Sequence, residues 1–289
     1  MRVLVTGAGG QLGRDVVLHC ERSGDEVIAC DHATLDVADR DAVLGTILTN
    51  APDVVIHAAA WTAVDACESD PDRAYAVNAI GTRWVADACR RLGAHLTYVS
   101  TDYVFDGTKV GPYVEWDAPN PQSVYGASKL GGEQEVGPDA AVVRTSWVCG
   151  QHGANMVKTI LRLAAAHPEL SFVDDQRGHP SFCADLAPTL RRIALDRRPG
   201  VHHVTNQGAV SWYEFVQAIM SAAGHDPDRV LPVSTADFLA ARPADAPPMA
   251  PRPANSVLDN FALRHSGLGE LRDFREPLAE VVAALGAAE

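Results

Sequence analysis

The chain has 289 residues, 47% of them apolar, and carries a formal net charge of −13. That length supports a large core in one domain or two lobes. The acidic balance argues against a general nucleic-acid binder, which presents a basic surface, although backbone amides and a few cations still suffice for a nucleotide. No apolar run approaches the length of a membrane span, and the N-terminal Met1-Arg2-Val3-Leu4-Val5-Thr6 runs straight into a strand-like segment without a leader pattern. A soluble, cytoplasmic protein is the expectation.

In chain order, strands are predicted at Arg2–Thr6, Glu26–Cys30, Val54–His57, Leu96–Ser100 and Ala141–Thr145. Helices are predicted over Gly13–Arg22, Arg40–Thr49, Arg73–Leu92 and Val124–Gln134. Runs such as Val54-Val55-Ile56 suit strands covered on both faces. The alternation predicts an α/β fold, a doubly wound parallel Rossmann sheet. The second half is less regular. Helices are expected over Asn155–Ala166, Ala184–Leu195, Ser211–Ala223 and Phe274–Leu285, with strands at Leu170–Val173 and Val201–Asn206. Ser211 and Glu214 have the spacing of a capping box. The Ala184–Leu195 helix and the Val201–Asn206 strand are expected to return to the main sheet. The division is then residues 1–150 with about 184–208 for a dinucleotide-binding domain. A smaller, partly discontinuous C-terminal substrate lobe takes about 151–183 with 209–289. The segment 242–256 holds five prolines and reads as either a linker or a loop over that lobe.

Six cysteines are widely spaced, with no Cys-x-x-Cys and no His-x-x-x-His, so free thiols are expected rather than disulfides or zinc. His202-His203 lies in an apolar run and reads as structural. No metal is expected.

Between the first strand and helix stand Gly7, Gly9, Gly10, Gln11, Leu12 and Gly13. Gly7, Gly10 and Gly13 have the Gly-x-x-Gly-x-x-Gly spacing that lets backbone N–H groups approach a pyrophosphate at a helix N-terminus. The strand–glycine–helix context makes this a candidate NADPH or NADH site. Asp31, ending the second strand, has the place to accept from ribose hydroxyls and to repel a 2′-phosphate, which tilts toward NADH; Arg14 and His32 soften that preference. Asp36 and Val37 are candidates for the adenine edge. For both aspartates, turn or cap chemistry is the competing role. Ala58, Ala59 and Ala60 follow the third strand and let backbone pass close to a flat cofactor. Asn78 is placed where a polar side chain steadies the sheet.

Ser100-Thr101-Asp102-Tyr103 and Tyr125-Gly126-Ala127-Ser128-Lys129 combine a hydroxyl, a phenol and an ammonium. Tyr125 and Lys129, four apart, share one helix face. A nearby ammonium favours phenolate and is expected to lower the phenol's pKa. The Tyr-x-x-x-Lys spacing alone is equally that of any amphipathic turn.

Taken with Arg144-Thr145-Ser146-Trp147 and Asp175-Gln176-Arg177-Gly178-His179-Pro180-Ser181, these segments resemble the extended short-chain dehydrogenase/reductase superfamily. Within it they resemble most the dTDP-4-dehydrorhamnose reductase family. The resemblance spans most of the chain and implies reduction of the 4-keto group of dTDP-4-dehydro-6-deoxy-L-mannose with NADPH or NADH. It implies that Tyr125 protonates the sugar oxygen, that Lys129 holds the nicotinamide ribose and lowers the Tyr125 pKa, and that Thr101 bonds the reacting oxygen or tunes Tyr125. Val64, Thr101, Asp102, Tyr103 and Trp147 match substrate-contacting positions; a core aromatic is the other reading of Trp147. Relatives often dimerise, so a homodimer is implied. Where the family usually carries Gly-x-Pro-Thr, this chain has Gly178-His179-Pro180-Ser181; Ser181 keeps the hydroxyl, and His179 and Phe182 are expected to alter the substrate fit. The rivals are a 4,6-dehydratase or epimerase, disfavoured because Tyr103 stands where a dehydratase has Glu, a silent NAD(P)-binding regulatory subunit, and a 4-ketoreductase for another dTDP-deoxysugar.

Overall fold

The computed structural model describes residues 1–243 and 245–286. Ala244, inside the proline-rich segment, and residues 287–289 of the expected C-terminal lobe lie outside the described residues.

The first half is built from β1 (Arg2–Thr6), α1 (Gln11–Arg22), β2 (Glu26–Cys30), α2 (Arg40–Asn50) and β3 (Val54–His57). It continues through α3 (Val64–Ser69), α4 (Pro71–Tyr75), α5 (Gly81–Leu92), β4 (His95–Thr101), α6 (Val124–Glu135) and β5 (Ala141–Thr145). The main sheet has six strands in the order Gly200–His203, β5, β4, β3, β1, β2. Every pairing in it is parallel.

Strand alternation splits the core in two. Val3 and Val5 of β1 face one side and pack with Leu12 and Val16 of α1 and with Leu186 and Leu190 of the helix Cys183–Leu195. Leu4 faces the other side, with Val43 and Ile47 of α2 and Val85 and Ala88 of α5. Both faces of a continuous apolar strand are thereby covered, the condition for a parallel sheet.

Helix Cys183–Leu195 packs on α1, and Gly200–His203 is the sheet's edge strand beside β5. That strand stops at His203, short of Asn206. Thr205 and Asn206 are buried with their side chains committed elsewhere: the Asn206 Oδ1 accepts from Phe182 N at 2.8 Å and its Nδ2 donates to Asp185 at 2.7 Å.

The remaining core is a smaller cluster. Helices Met156–Ala166, Trp212–Ala222 and Arg275–Gly286 pack around Phe215, Phe274 and Ile160, beside a parallel pair of strands, Leu170–Val173 and Val230–Val233. Ser211 and Glu214 form the capping box that starts the second of these helices.

The predicted helix Arg73–Leu92 is interrupted. Residues Ala76–Ile80 form a π turn between α4 and α5. Its centre, Asn78, is fully buried and bonded to other segments, which draws the backbone off the regular ladder. All six cysteines are free and buried. Among the described residues no helix is long and apolar enough to cross a membrane.

Candidate active site

A cleft of about 570 Å³ opens at the C-terminal ends of β1, β2 and β3. Its floor is the turn from β1 to α1. Gly7 has φ +68°, and a Cβ there would lie 2.7 Å from Ala59 N. The Gly10 N–H donates to the Gly7 carbonyl at 2.9 Å and closes the turn. Gly13 sits beneath it, where a Cβ would meet the Gly7 oxygen at 2.1 Å. The helix N-terminus is therefore brought against the strand end with the first amides free of side-chain cover, a cradle for a pyrophosphate.

Of the residues expected at the cofactor, Gly7, Gly9, Gly10, Asp31, Asp36, Val37, Ala58, Ala59 and Ala60 line this cleft. Gln11, Leu12 and Gly13 do not. Leu12 is buried in the core, Gly13 is the packing contact under Gly7, and the Gln11 Oε1 accepts from Asn155 Nδ2 at 3.0 Å. His32, Ala33, Leu35 and Val77 line the cleft without having been expected there as contacts. Asp31 also caps its own turn: its Oδ1 accepts from Ala33 N, Thr34 N and Thr34 Oγ1. These bonds, led by the Thr34 hydroxyl, hold its carboxyl below the ordinary carboxylate range. Asp36 accepts from Ala38 N at 3.0 Å, again a turn bond.

The second group of side chains converges at the end of β4. Thr101 ends that strand, and Ser123 caps α6 by accepting from Gly126 N at 3.1 Å, which places Tyr125 in the first helical turn. Thr101, Asp102, Tyr125 and Lys129 are all buried. Val64, Tyr103 and Tyr125 belong to one small apolar cluster with Trp61 and Cys67, the two tyrosine rings edge-on at 5.7 Å. Burial pushes the Tyr125 phenol well above its ordinary pKa, and the neighbouring Thr101 hydroxyl pulls against that.

Thr101 Oγ1 donates to Asp102 Oδ1 at 3.0 Å and accepts from Tyr103 N at 3.2 Å. Burial raises the Asp102 carboxyl to about 6, opposed by hydrogen bonds from Ser256 and Thr101.

Lys129 departs from expectation. Its Nζ donates to the Val99 carbonyl at 2.7 Å and lies 4.1 Å from the centroid of the Tyr98 ring. Burial lowers its pKa to about 7, with the Glu133 charge acting in the other direction. The expected lowering of the Tyr125 pKa by Lys129 is thus corrected: in this arrangement the ammonium is turned to the strand, and burial dominates the phenol.

Asn78 ties the parts together. Its Oδ1 accepts from Trp61 N at 2.8 Å, and its Nδ2 donates to Trp61 O and to Ser128 Oγ of α6. Trp147 lies two residues past Thr145, the sheet partner of Thr101. It is half-buried, adopts φ +44°, and stacks on Trp212 at 3.7 Å. His179 and Phe182 are structural rather than substrate-facing. Phe182 is fully buried, and His179, also buried, bonds Thr205 Oγ1 at 2.8 Å.

Sequence reasoning did not reach Arg252 and Ser256. The Arg252 guanidinium pairs with Asp65 on α3, approaches Tyr103, and anchors the proline-rich segment beside the site. Ser256, in the same segment, donates its hydroxyl to the Arg177 carbonyl at 3.3 Å and helps hold the Asp102 pKa down. Separation by more than a hundred residues leaves no local signal for either contact.

The model of the RmlD substrate binding domain family matches residues 1–287. The chain is 44% identical over 292 residues to dTDP-4-dehydrorhamnose reductase of Mycobacterium tuberculosis, covering 98% of this chain and 93% of that protein. It is 40% identical over 296 residues to a probable dTDP-4,6-dihydroxy-2-methyloxan-3-one 4-ketoreductase of Streptomyces antibioticus, covering 100% and 97%. Among solved structures it is similar to dTDP-4-dehydrorhamnose reductase from Bacillus anthracis in complex with NADP. There the TM-score is 0.91 and the identity 38%, over 98% of this chain and 99% of that one.

Proposed function

The chain belongs to the RmlD substrate binding domain family, and from that premise we propose that it reduces the 4-keto group of dTDP-4-dehydro-6-deoxy-L-mannose to give dTDP-L-rhamnose, using NADPH or NADH. The observation that carries the reading is the convergence of Thr101, Asp102 and Tyr125 in a buried site at the end of β4, one strand from the cleft lined by Gly7, Gly9 and Gly10.

The residues present fit a dinucleotide. A Cβ at Gly7 would block the approach at Ala59, and the first turn of α1 is left open for phosphate oxygens. Gly7, Gly9, Gly10, Asp31, Asp36, Val37 and Ala58–Ala60 would hold it, with Tyr125 and Lys129 at its nicotinamide end. A reduced nicotinamide supplies the hydride when bound. Tyr125 gives its proton to the sugar oxygen, and Thr101 orients that oxygen and the phenol. Val64, Asp102, Tyr103 and Trp147 contact the sugar nucleotide. The apolar cluster around the phenol, with Trp61, Val64 and Cys67, keeps water from competing for the proton.

We read residues 1–150 with about 184–208 as the dinucleotide-binding domain and about 151–183 with 209–289 as the substrate lobe; the placement of Gly200–His203 beside β5 supports this. A cytoplasmic homodimer completes the reading. The likeness to the Streptomyces antibioticus 4-ketoreductase favours one second reading, reduction of another dTDP-linked 4-keto-deoxysugar.

The test is direct. Purified protein is mixed with dTDP-4-dehydro-β-L-rhamnose and NADPH or NADH, loss of nicotinamide absorbance is followed, and the sugar product is identified. Tyr125→Phe is expected to lower turnover by about 10²- to 10⁴-fold with cofactor affinity retained. Cofactor binding without ketone-dependent oxidation would refute the reading in favour of a silent subunit; full turnover by Tyr125→Phe would remove Tyr125 as proton donor.

A further inference from the structure

Behind the reacting groups lies an ion pair that the chemistry above does not use. Glu133 is on α6, one turn beyond Lys129 and two beyond Tyr125. Arg144 is on β5, directly opposite Ser100 in the sheet register, with Thr145 opposite Thr101. The Arg144 Nε donates to Glu133 Oε1 at 2.9 Å and its Nη2 donates to Oε2 at 2.7 Å. Ser100 Oγ donates to the same Oε1 at 2.5 Å. The two charged side chains are only 4% and 7% exposed.

A fork of two parallel N–H···O bonds fixes orientation as well as distance. A buried pair of this kind adds little net stability compared with apolar residues of the same volume, and removing one partner is strongly destabilising. Its position suggests what it does instead. One carboxylate takes three donors from two adjacent strands, at the residue immediately before Thr101 and at its neighbour in the sheet. The helix that supplies the carboxylate also carries Tyr125 and Lys129.

We propose that Glu133, gripped by Arg144 and Ser100, is a positioning residue for the reduction: it fixes the helix bearing Tyr125 and Lys129 in register with the strand end bearing Thr101. The proposal rests on the reading of those three side chains as the reacting groups. Misplacing a reacting group by about 1 Å costs on the order of 10²-fold in rate. Glu133 favours the charged form of Lys129. The other groups around that ammonium are Tyr98 on β4 with its ring 4.1 Å away, His57 on β3, which Lys129 disfavours from charging, and Arg144 behind Glu133 on β5. His57 is buried and neutral, its pKa held at about 3, so Glu133 is the anion that acts on Lys129.

The test compares wild type, Glu133→Gln and Ser100→Ala for kcat, KM, cofactor affinity and the pH profile of kcat. Glu133→Gln keeps the shape and removes the charge. Its kcat is expected to fall by roughly 10- to 100-fold with KM changed much less, and the limb that follows Lys129 is expected to move to lower pH by about one unit. Ser100→Ala retains the ion pair and hence the fold; its kcat is expected to fall by about fivefold with the pH limb unmoved. If Glu133→Gln does not fold, Ser100→Ala and the paired replacement Glu133→Met with Arg144→Met decide, since apolar replacement of a whole buried pair is often neutral. Folded variants with wild-type kcat and an unshifted profile would overturn the proposal. Tyr125→Phe run alongside separates the two claims: if it retains turnover the site reading fails, and if it loses turnover while the Glu133 variants keep theirs, only the positioning role fails.

Discussion

Replacing Lys129 by methionine is expected to stabilise the protein at pH 7 while removing its reductase activity. The Lys129 side chain is buried, and burial takes its pKa from 10.5 to about 7. At about 1.4 kcal/mol per tenfold, carrying the proton in the folded state costs roughly 5 kcal/mol relative to the unfolded chain. Methionine has a similar length and no charge. It leaves the Val99 carbonyl without the donor now at 2.7 Å, a loss of roughly 1–3 kcal/mol. The net gain at pH 7 is then roughly 2–4 kcal/mol. The sign with pH follows from the direction of the shift. Between about 7 and 10.5 the unfolded wild-type chain binds more protons than the folded one, so wild-type stability rises with pH across that window. Below about 6 both states are protonated and the penalty is complete; at about pH 7 the folded lysine is half protonated and most of the penalty remains. The advantage of Lys129→Met is therefore greatest at and below neutral pH and shrinks toward pH 10. Urea unfolding of both proteins between pH 6 and 9.5, with equal m-values as a control, measures it. A variant less stable than wild type at pH 7, or an advantage that does not shrink with pH, would refute the reasoning.

Two further outcomes follow from the same site. Gly13→Ala places a methyl group 2.1 Å from the Gly7 oxygen, so the β1–α1 turn must open; a loss of roughly 1–3 kcal/mol in stability and a weaker cofactor in a fluorescence titration are expected, and a variant with native cofactor affinity would contradict the cradle. Asp102 has its folded pKa raised to about 6 from 3.8, so it stabilises the fold below about pH 4 and that contribution, roughly 3 kcal/mol, is lost as pH rises through 6. Asp102→Asn should therefore gain on wild type across pH 4 to 6 in denaturant melts, and a constant difference across that range would show that Asp102 titrates normally.

The sheet was legible because β1, β3 and β5 are short runs rich in Val, with Leu in β1 and Ile in β3, that burial on both faces explains, and the turn from β1 to α1 because three glycines at fixed spacing have few other uses. The break at Ala76–Ile80 was not. Its cause is Asn78, which bonds Trp61 and Ser128 from distant segments, while local propensity reads the stretch as one helix. The same limit applies to Arg252, whose partner Asp65 is far away in the chain. Leu12 and Gly13 belong to the glycine motif by spacing, yet one serves the core and the other the packing beneath Gly7. Helical spacing correctly places Tyr125 and Lys129 on one face. Which neighbour the ammonium chooses depends on a carbonyl of β4 that spacing does not encode.

That choice bears on the direction of the chemistry. Burial holds the Tyr125 phenol protonated far into the alkaline range, and the protonated phenol is the form that reduction uses. The oxygen it meets is turning from ketone to alkoxide, whose basicity approaches that of hydroxide, with a conjugate-acid pKa near that of water at about 15.7. Proton transfer is thus downhill even from a phenol above its ordinary value of about 10, and a lowered pKa is not required for the forward step. The reverse reaction, oxidation of the sugar hydroxyl, needs phenolate, which the same burial opposes and which Thr101 only partly restores. The overall equilibrium belongs to the substrates, but the pH dependence of each turnover belongs to the site. Oxidation of dTDP-L-rhamnose should therefore climb by about tenfold per pH unit through pH 7 to 9 without reaching a plateau, while reduction shows no limb from the phenol in that range. A plateau in the oxidation rate near neutral pH would mean that Tyr125 ionises easily in the working complex, and that Lys129 turns from Val99 to the phenol during the reaction.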